Sequence, residues 1–430
     1  MGLPSAEKRQ LGLVALTALV IGNMVGSGVF LLPASLALYG GMSVLGWLVS
    51  AAGSMAFGLV IARLARRLPA VGGPYVYTRE AFGEFAGFLV GWGYWISCWC
   101  GQAAVAVAMT SYLGSLFPWV EAHPLSVALT AIAFLCGVNV WGVRAAGFVQ
   151  VVTTLLKLLP LAAIALFGLA HFEPAHFRPF NPTGEPPLNA VMGCLALTLW
   201  AFQGFESASV AAGEARDSRK NVPRATLIGI GVVTVLYIAS TLAVMGLVPP
   251  AELAASSAPF ADAARALWGS WAAKLVATGA FVSCFGALNG WILVAGRMPL
   301  AIARDGLFPR FFGRLSARGT PVVGLVLSSS LACLLVFSNF TGSLVVMFTG
   351  MTVLAALSAL VPFVFCSMAD ILLAVRAREP LALGVTIALI AFAYGLLTIA
   401  GAGTEYVAWG FLLLLGGIPF YVLARARRER

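Results

Sequence analysis

Long apolar stretches separated by short polar segments run through the whole chain. A helix needs about 20 apolar residues to cross a bilayer, and these stretches reach that length, whereas barrel strands would alternate over about ten residues. The pattern predicts an all-α polytopic membrane protein with about twelve transmembrane helices. The predicted spans lie near 11–39, 43–65, 83–116, 123–143, 145–170, 189–212, 223–248, 268–303, 321–339, 343–375, 381–401 and 405–424.

Composition agrees with this prediction. Of the 430 residues, 60% are hydrophobic and only 10% are charged, and the mean hydropathy is +0.96. Such a chain has hydrocarbon as its main solvent, so the lipid bilayer is its first expected partner.

The net charge of +10 would also suit a nucleic-acid partner, but the placement of the basic residues explains it better. If the N-terminus is cytoplasmic, most of the 26 Lys and Arg residues fall in cytoplasmic segments, following the positive-inside rule. The sequence therefore predicts a multi-pass protein of the cell inner (plasma) membrane with both termini cytoplasmic. No nucleic-acid partner is expected.

The first predicted span contains a polar, glycine-rich stretch, IGNMVGSGVF, at residues 21–30. Unwinding a membrane helix frees backbone groups that are costly in lipid unless they face a cavity or a ligand. Free N–H groups at Ser27 and Gly28 would form an anion pocket reinforced by the helix dipole. Freed carbonyls near Met24 and Trp200 could accept an ammonium. Together these groups would suit the backbone of an α-amino acid.

The sixth predicted span has a matching interruption in CLALTLWAFQGFESASVAAGE, where Gly204, Glu206 and Ser207 break the apolar run. Transporters built from inverted repeats place discontinuous helices at corresponding positions of their two halves, with the substrate site between them. The alternative is that these glycines only allow close helix packing. We expect one transporter domain over 1–430, with repeats at about 11–170 and 189–375 and two extra helices at about 381–424.

Glu206 is the one carboxylate well inside a predicted span, since the other acids lie near span ends or in loops, and Lys157 is a cation in the middle of the fifth span. Intramembrane ionisable groups are functional candidates by default. Glu206 could exchange a proton as substrate comes and goes, or be a protonated acid bonded to a neighbouring helix. Lys157 could direct its ammonium to freed carbonyls of the first helix, or extend to the membrane surface.

Several further side chains in mid-span suit a binding site. Trp200 and Trp291 could stack on an organic cation or only pack in the core. Ser97, Cys98 and Gln102 on the third span could face the site or hold helices together. All seven cysteines lie within predicted spans, where a disulfide framework or a metal cluster is not expected, and no cofactor is expected. Neither the residue clusters of a membrane enzyme nor the filter motif of a channel is visible.

Five segments carry a resemblance to a known family. In chain order they read GNMVGSGVFLLPASLA, LWAFQGFESASVAAGE, RKNVPRAT, APFADAARALWG and ARDGLFPRFFGRLSARGTP. The chain resembles the amino acid, polyamine and organocation transporter superfamily, and within it the arginine/agmatine antiporters with their putrescine/ornithine and cadaverine/lysine relatives. The resemblance covers nearly the whole length. It implies a LeuT-like fold of five plus five helices, and exchange of an amino acid for its decarboxylated amine by alternating access.

The resemblance also implies roles for individual residues. The substrate-binding positions would be Asn23, Met24, Gly26, Ser27, Gly28, Ser97, Cys98, Gln102, Trp200, Gln203, Gly204, Trp291, Phe348 and Ala355. Ser27 and Gly28 match the backbone that receives the substrate carboxylate. Tyr94 matches a gating tyrosine and Glu206 an acid assigned to proton sensing.

Departures at four positions leave the substrate class open. Gln102, Val105 and Ala355 stand where the arginine/agmatine family has Asn, Met and Ser near the guanidinium end. Lys157 instead matches sodium-independent and proton-coupled amino acid permeases. A cationic substrate is the expectation, with a permease or exchanger for neutral amino acids as the alternative. Similar antiporters form homodimers, so a homodimer is also possible.

Overall fold

The computed structural model describes residues 11–68, 73–141, 157–210, 212, 215–317, 319–339, 343–380 and 382–428. These residues form α-helices joined by loops, with 3-10 turns at Leu169–His171, Pro174–Phe177 and Arg310–Gly313. Their one β element is an isolated parallel bridge between Leu11 and Ala215. The helices are α1 Leu13–Met24, α2 Ser27–Ala37, α3 Met42–Arg67, α4 Pro74–Phe82, α5 Glu84–Gly114, α6 Pro118–Ala122, α7 Pro124–Trp141, α8 Lys157–His171, α9 Pro187–Phe202, α10 Ser207–Val210, α11 Ser218–Leu247, α12 Pro250–Ala255, α13 Pro259–Trp268, α14 Ser270–Arg304, α15 Val322–Ser338, α16 Leu344–Arg376, α17 Ala382–Gly401, α18 Thr404–Leu415 and α19 Ile418–Arg428.

The predicted all-α membrane fold is confirmed. Within the described residues, ten helical segments are long and apolar enough to span a bilayer, counting α1 with α2, α9 with α10, and α18 with α19 as single segments. Two shorter apolar helices, α8 and α15, lie at the fifth and ninth predicted spans. The start of the fifth predicted span, residues 145–156, lies outside the described residues. The number of twelve spans stays a prediction.

The first and sixth predicted spans are both broken, as expected. Helix α1 ends at Met24 and α2 begins at Ser27, because Val25 and Gly26 leave the helical conformation. Helix α9 ends at Phe202, and the next helical turn begins at Ser207. Each break falls near the middle of an apolar run, so both lie at the depth where a transporter site is expected.

Helix α5 forms the centre of the molecule. Almost all of its residues are buried, and it packs against the two long helices α14 and α16. The broken helix α1 packs against α11, which in turn packs against α3. The last segment, α18 with α19, is mostly exposed and presents large apolar side chains outward. The buried centre thus holds the two breaks, while the chain's end lies at the periphery.

The connection after α8 covers the turn between α2 and α3. Phe180 lies over Gly41, where an added Cβ atom would meet the Phe180 ring at 2.1 Å, and the carbonyl of Phe180 accepts a hydrogen bond from the Met42 amide at 3.1 Å. The sequence predicts an extended, proline-rich cap in this segment. The structure places such a cap there and adds 3-10 turns at Leu169–His171 and Pro174–Phe177.

Ion pairs join the helix ends on the opposite face. Arg63 and Arg67 at the end of α3 both contact Asp370 on α16, and Arg67 also pairs with Glu379 at 2.7 Å. The H-bond from the Arg67 side chain lowers the pKa of the Glu379 carboxyl below its usual value. These pairs tie α3 to α16 at the membrane boundary.

Candidate functional site

The two helix breaks touch each other through their backbones. Gly204 has a φ of +110°, a conformation that favours glycine. A Cβ atom added to Gly204 would stand 2.8 Å from the carbonyl carbon of Asn23 and 2.9 Å from the amide nitrogen of Met24. The absence of a side chain at Gly204 is therefore what allows the two breaks to meet.

Side-chain hydrogen bonds strengthen this contact. The Asn23 side-chain amide donates to the hydroxyl of Ser207 at 2.8 Å, and that hydroxyl donates to the carbonyl of Gly204. Asn23 belongs to the first broken helix, and Ser207 begins the half-helix after the second break. The pair thus links the two breaks across 184 positions of the chain.

The carboxyl group of Glu206 is fully enclosed between these elements. The residue is 1% exposed, its Oε1 accepts a hydrogen bond from the Tyr94 hydroxyl at 2.7 Å, and its Oε2 accepts one from the Gly204 amide at 3.1 Å. Both carboxyl oxygens therefore have a hydrogen-bond partner within the protein. No Lys or Arg among the described residues forms an ion pair with Glu206.

Two tryptophans form an aromatic layer beside the breaks. The rings of Trp200 and Trp291 are stacked, with centroids 5.8 Å apart and an angle of 17° between their planes. The edge of Trp200 rests on Gly101, where an added Cβ atom would meet the ring at 2.8 Å. Its five-membered ring lies beside Gly28 in the first turn of α2. Gly101 on α5 and Gly28 on α2 therefore leave the room that the Trp200 ring occupies.

The carbonyls that the sequence predicts to be free already have donors from the protein. The Tyr237 hydroxyl donates to the carbonyl of Met24 at 2.7 Å, and the backbone N–H of Gln203 donates to the carbonyl of Trp200 at 3.2 Å. A carbonyl oxygen has two lone pairs, so each of these carbonyls has one acceptor position left. Each carbonyl can therefore still accept one donor, and the expectation that it receives an ammonium stays a prediction.

Lys157 is buried, and its ammonium donates to the carbonyl of Gly22 in the last turn of α1. The sequence leaves two directions open for the Lys157 side chain, toward the first helix or toward the membrane surface. In the structure the side chain contacts the first helix. The ammonium therefore reaches a carbonyl one turn before the break.

A narrow cleft with about 30 Å³ of water-accessible space lies at the break region. That is room for about two water molecules and well below the roughly 300–1,000 Å³ of small-molecule sites, so a substrate would need the cleft to widen. Its walls come from both broken helices and, in addition, from α5 and α14. The lining residues are Gly22, Asn23, Tyr94, Gly204, Glu206, Ser207, Ala287, Gly290, Trp291 and Val294.

A family model described as amino acid permease matches residues 11–418 of the chain. The chain belongs to this amino acid permease family. It is 33% identical to a cadaverine/lysine antiporter of Escherichia coli, over 99% of this chain and 97% of that protein. It is 31% identical to a putrescine transporter of Haemophilus influenzae, over 97% of each. An arginine/ornithine antiporter of Pseudomonas aeruginosa is 32% identical, over all of this chain and 93% of that protein. The superfamily expected from the sequence is confirmed.

The predicted site residues of this permease fall into two groups. Asn23, Met24, Gly26, Gly28, Tyr94, Trp200, Gln203, Gly204, Glu206 and Trp291 lie at the breaks or against them. Ser97 joins this group, because its hydroxyl approaches the side-chain oxygen of Gln203 at 3.4 Å. Only the backbone of Ser27 is described, and it begins α2.

The second group lies in the surrounding helices without a described contact to the breaks. Gln102 is buried on α5, but its oxygen faces the Ser329 hydroxyl of α15 at 3.5 Å. Cys98, Phe348 and Ala355 are fully buried on α5 and α16. Their roles at the site stay predictions.

Sequence reasoning did not name Tyr237 and three residues of α14, Ala287, Gly290 and Val294, as parts of the site. For Tyr237 a signal exists, since it is a single hydroxyl-bearing aromatic in the middle of an apolar span. The α14 positions are small or aliphatic, and no residue type in their pattern indicates a cleft wall.

Proposed function

We propose that this permease exchanges a basic amino acid for a decarboxylated amine across the cell inner membrane, as an antiporter that works by alternating access. Its relatives support this proposal, because the proteins named above are antiporters or transporters of lysine, cadaverine, putrescine, arginine or ornithine. Because the sequence identity to these relatives is about one third over nearly the full length, the same class of substrate is the first candidate for this permease.

The observation that carries the proposal is the environment of Glu206. Its carboxylate lies in the wall of the cleft, and no cation among the described residues pairs with it. A buried charge without a partner is costly, so a cationic substrate entering the cleft would supply the missing charge. The face of Trp291, in the same wall, would add cation–π attraction.

The position of the cleft supports alternating access. It reaches the breaks past Ala287, Gly290 and Val294, which follow one another toward the Arg304 end of α14. With both termini cytoplasmic, that end also faces the cytoplasm. We therefore propose that this conformation opens inward and that Trp200, stacked behind Trp291, closes the outer side. The exposed apolar surface of α18 and α19 would face lipid or a second copy of the chain.

A second candidate function is exchange or uptake of neutral amino acids. The contact of Lys157 with Gly22 favours it, since a resident ammonium at the first break can take the place of a coupling cation. Ala355 and Val105 would also leave the side-chain pocket without polar groups for a charged substrate.

The test is counterflow in proteoliposomes that contain the purified permease. Vesicles are loaded with cadaverine, putrescine, agmatine, leucine or nothing, and uptake of radiolabelled lysine, ornithine, arginine and leucine is measured. The proposal expects uptake of a basic amino acid to rise at least tenfold when its amine is inside. Equal uptake into empty vesicles would contradict exchange, and stimulation by leucine alone would favour the neutral alternative.

A further inference from the structure

The indole N–H of Trp200 is a buried donor without an acceptor. Trp200 is 4% exposed, and its Nε1 atom has no hydrogen-bond partner among the described residues. An indole N–H can only donate, and leaving such a group unpaired in a buried place costs free energy. An unpaired donor at a binding site therefore points to an acceptor on the ligand.

This donor lies beside the first turn of α2. The Nε1 atom is 3.3 Å, and the neighbouring Cδ1 atom 3.1 Å, from the place where a Cβ atom of Gly28 would stand. Gly28 is the second residue of α2, and a side chain there would force the indole, or the Ala201 backbone at 3.1 Å, to shift by a few tenths of an ångström. The polar edge of Trp200 is thus directed to the start of a helix.

The start of α2 is itself a donor site. The first N–H groups of a helix have no acceptor within the helix, and no side chain caps this end. Together with the helix dipole, these groups favour an anion. The indole N–H adds one more donor beside them, from a different helix and with a fixed orientation.

We propose that the indole N–H of Trp200 donates a hydrogen bond to the carboxylate of an amino acid substrate, and that this bond distinguishes the amino acid from its decarboxylated amine. The proposal rests on the proposed function and adds a selectivity role for one side-chain atom. The amine has no carboxylate, so the N–H stays unpaired when the amine is bound. Trp200 would then do more than cover the site, because its indole nitrogen would bind the amino acid and make no bond to the amine.

The experiment compares Trp200→Phe with the natural protein, because phenylalanine keeps an aromatic ring and removes the N–H. Isothermal titration in detergent gives Kd for lysine and cadaverine, ornithine and putrescine, and arginine and agmatine. A hydrogen bond to a charged group is worth about tenfold or more in Kd. We expect the ratio of the amino acid Kd to the amine Kd to rise about tenfold in Trp200→Phe. Equal weakening of both members of a pair overturns the proposal.

Trp291→Phe is the matched control, since it makes the same change of ring in the stacking partner and keeps the indole N–H of Trp200. Its ratio should equal that of the natural protein, and a rise equal to that of Trp200→Phe overturns the proposal. If Trp200→Phe does not fold, Gly28→Ala serves instead, because the new methyl group would lie 3.1 Å from the indole Cδ1 and from the Ala201 Cα, so the indole is expected to shift and the ratio to rise. An unchanged ratio there also counts against the proposal. If the natural protein binds no member of any pair, the proposed function fails first.

Discussion

Gly204 lies directly against the backbone of Asn23, so that the two broken helices meet without any side chain between them. The contact joins the end of α1 to the segment between α9 and α10, although the end of α1 and that segment are far apart in the chain. Because it involves backbone atoms, it leaves almost no room for adjustment by side-chain rotation. The two breaks therefore behave as one structural unit.

Gly204→Ala tests this unit. Alanine would adopt a φ of +110° only with strain, and its methyl group would overlap the Asn23 backbone. We expect the free energy of unfolding to fall by about 2–5 kcal/mol, and the stabilisation by substrate to disappear. Thermal unfolding in detergent measures both. Gly231→Ala on α11 is the control, since nothing lies within 4 Å of its added Cβ atom, and it should keep its unfolding temperature. A stable, substrate-binding Gly204→Ala protein would contradict the role of the contact.

Glu206→Gln tests the carboxylate in the cleft. The substitution keeps the shape of the side chain and removes the charge that Tyr94 and Gly204 now bind. We expect the exchange rate to lose its dependence on pH from mildly acidic to mildly alkaline conditions, and the cationic substrate to bind more weakly because the carboxylate charge that it would neutralise is gone. Proteoliposome exchange across a pH series is the measurement. Glu252→Gln, an exposed acid on α12, should keep the natural pH profile. An unchanged profile in Glu206→Gln would reduce Glu206 to a structural acid.

Lys157→Met tests the ammonium beside the first break. Methionine has a similar length and removes both the buried charge and the bond to the Gly22 carbonyl. The lost bond costs about 1–3 kcal/mol, but burying an ammonium costs at least as much. We therefore expect an equal or higher unfolding temperature together with at least a tenfold loss of exchange. Lys274→Met, at an exposed cation of α14, should change neither. Unimpaired exchange by Lys157→Met would exclude a role in transport.

Glu379→Gln tests the ion pair at the membrane boundary. Arg67 lowers the pKa of the Glu379 carboxyl from its usual value of 4.5. A lowered pKa in the folded state stabilises the protein fully above the usual value, and this contribution is lost as the pH falls through the folded-state pKa. We expect Glu379→Gln to unfold at a slightly lower temperature than the natural protein at pH 7, and the difference to disappear as the pH falls through the folded-state pKa of Glu379. A difference that persists in acid would point to another cause.

The binding positions on α5 show where prediction from sequence stops. Tyr94, Ser97 and Gln102 lie within nine positions on one helix, and the sequence predicts all three near the site. Tyr94 and Ser97 contact the segment between α9 and α10, whereas Gln102 faces α15. The rotation of a helix about its axis decides between these outcomes. In an apolar span with hydrophobic residues all round, the sequence pattern does not fix that rotation.

The sequence by itself determined the membrane spans and the two helix breaks, because the solvent of this protein is the hydrocarbon of the bilayer. Hydrocarbon accepts only helices with satisfied backbone groups, so the lengths of the apolar runs predict the spans, and the glycine-rich interruptions predict both breaks. Which distant groups satisfy the freed backbone was decided only by the tertiary structure. Tyr237 reaches Met24 across 213 positions, Lys157 reaches Gly22 across 135, and Tyr94 reaches Glu206 across 112. Those pairings depend on how the helices pack in three dimensions, and local sequence carries no record of it.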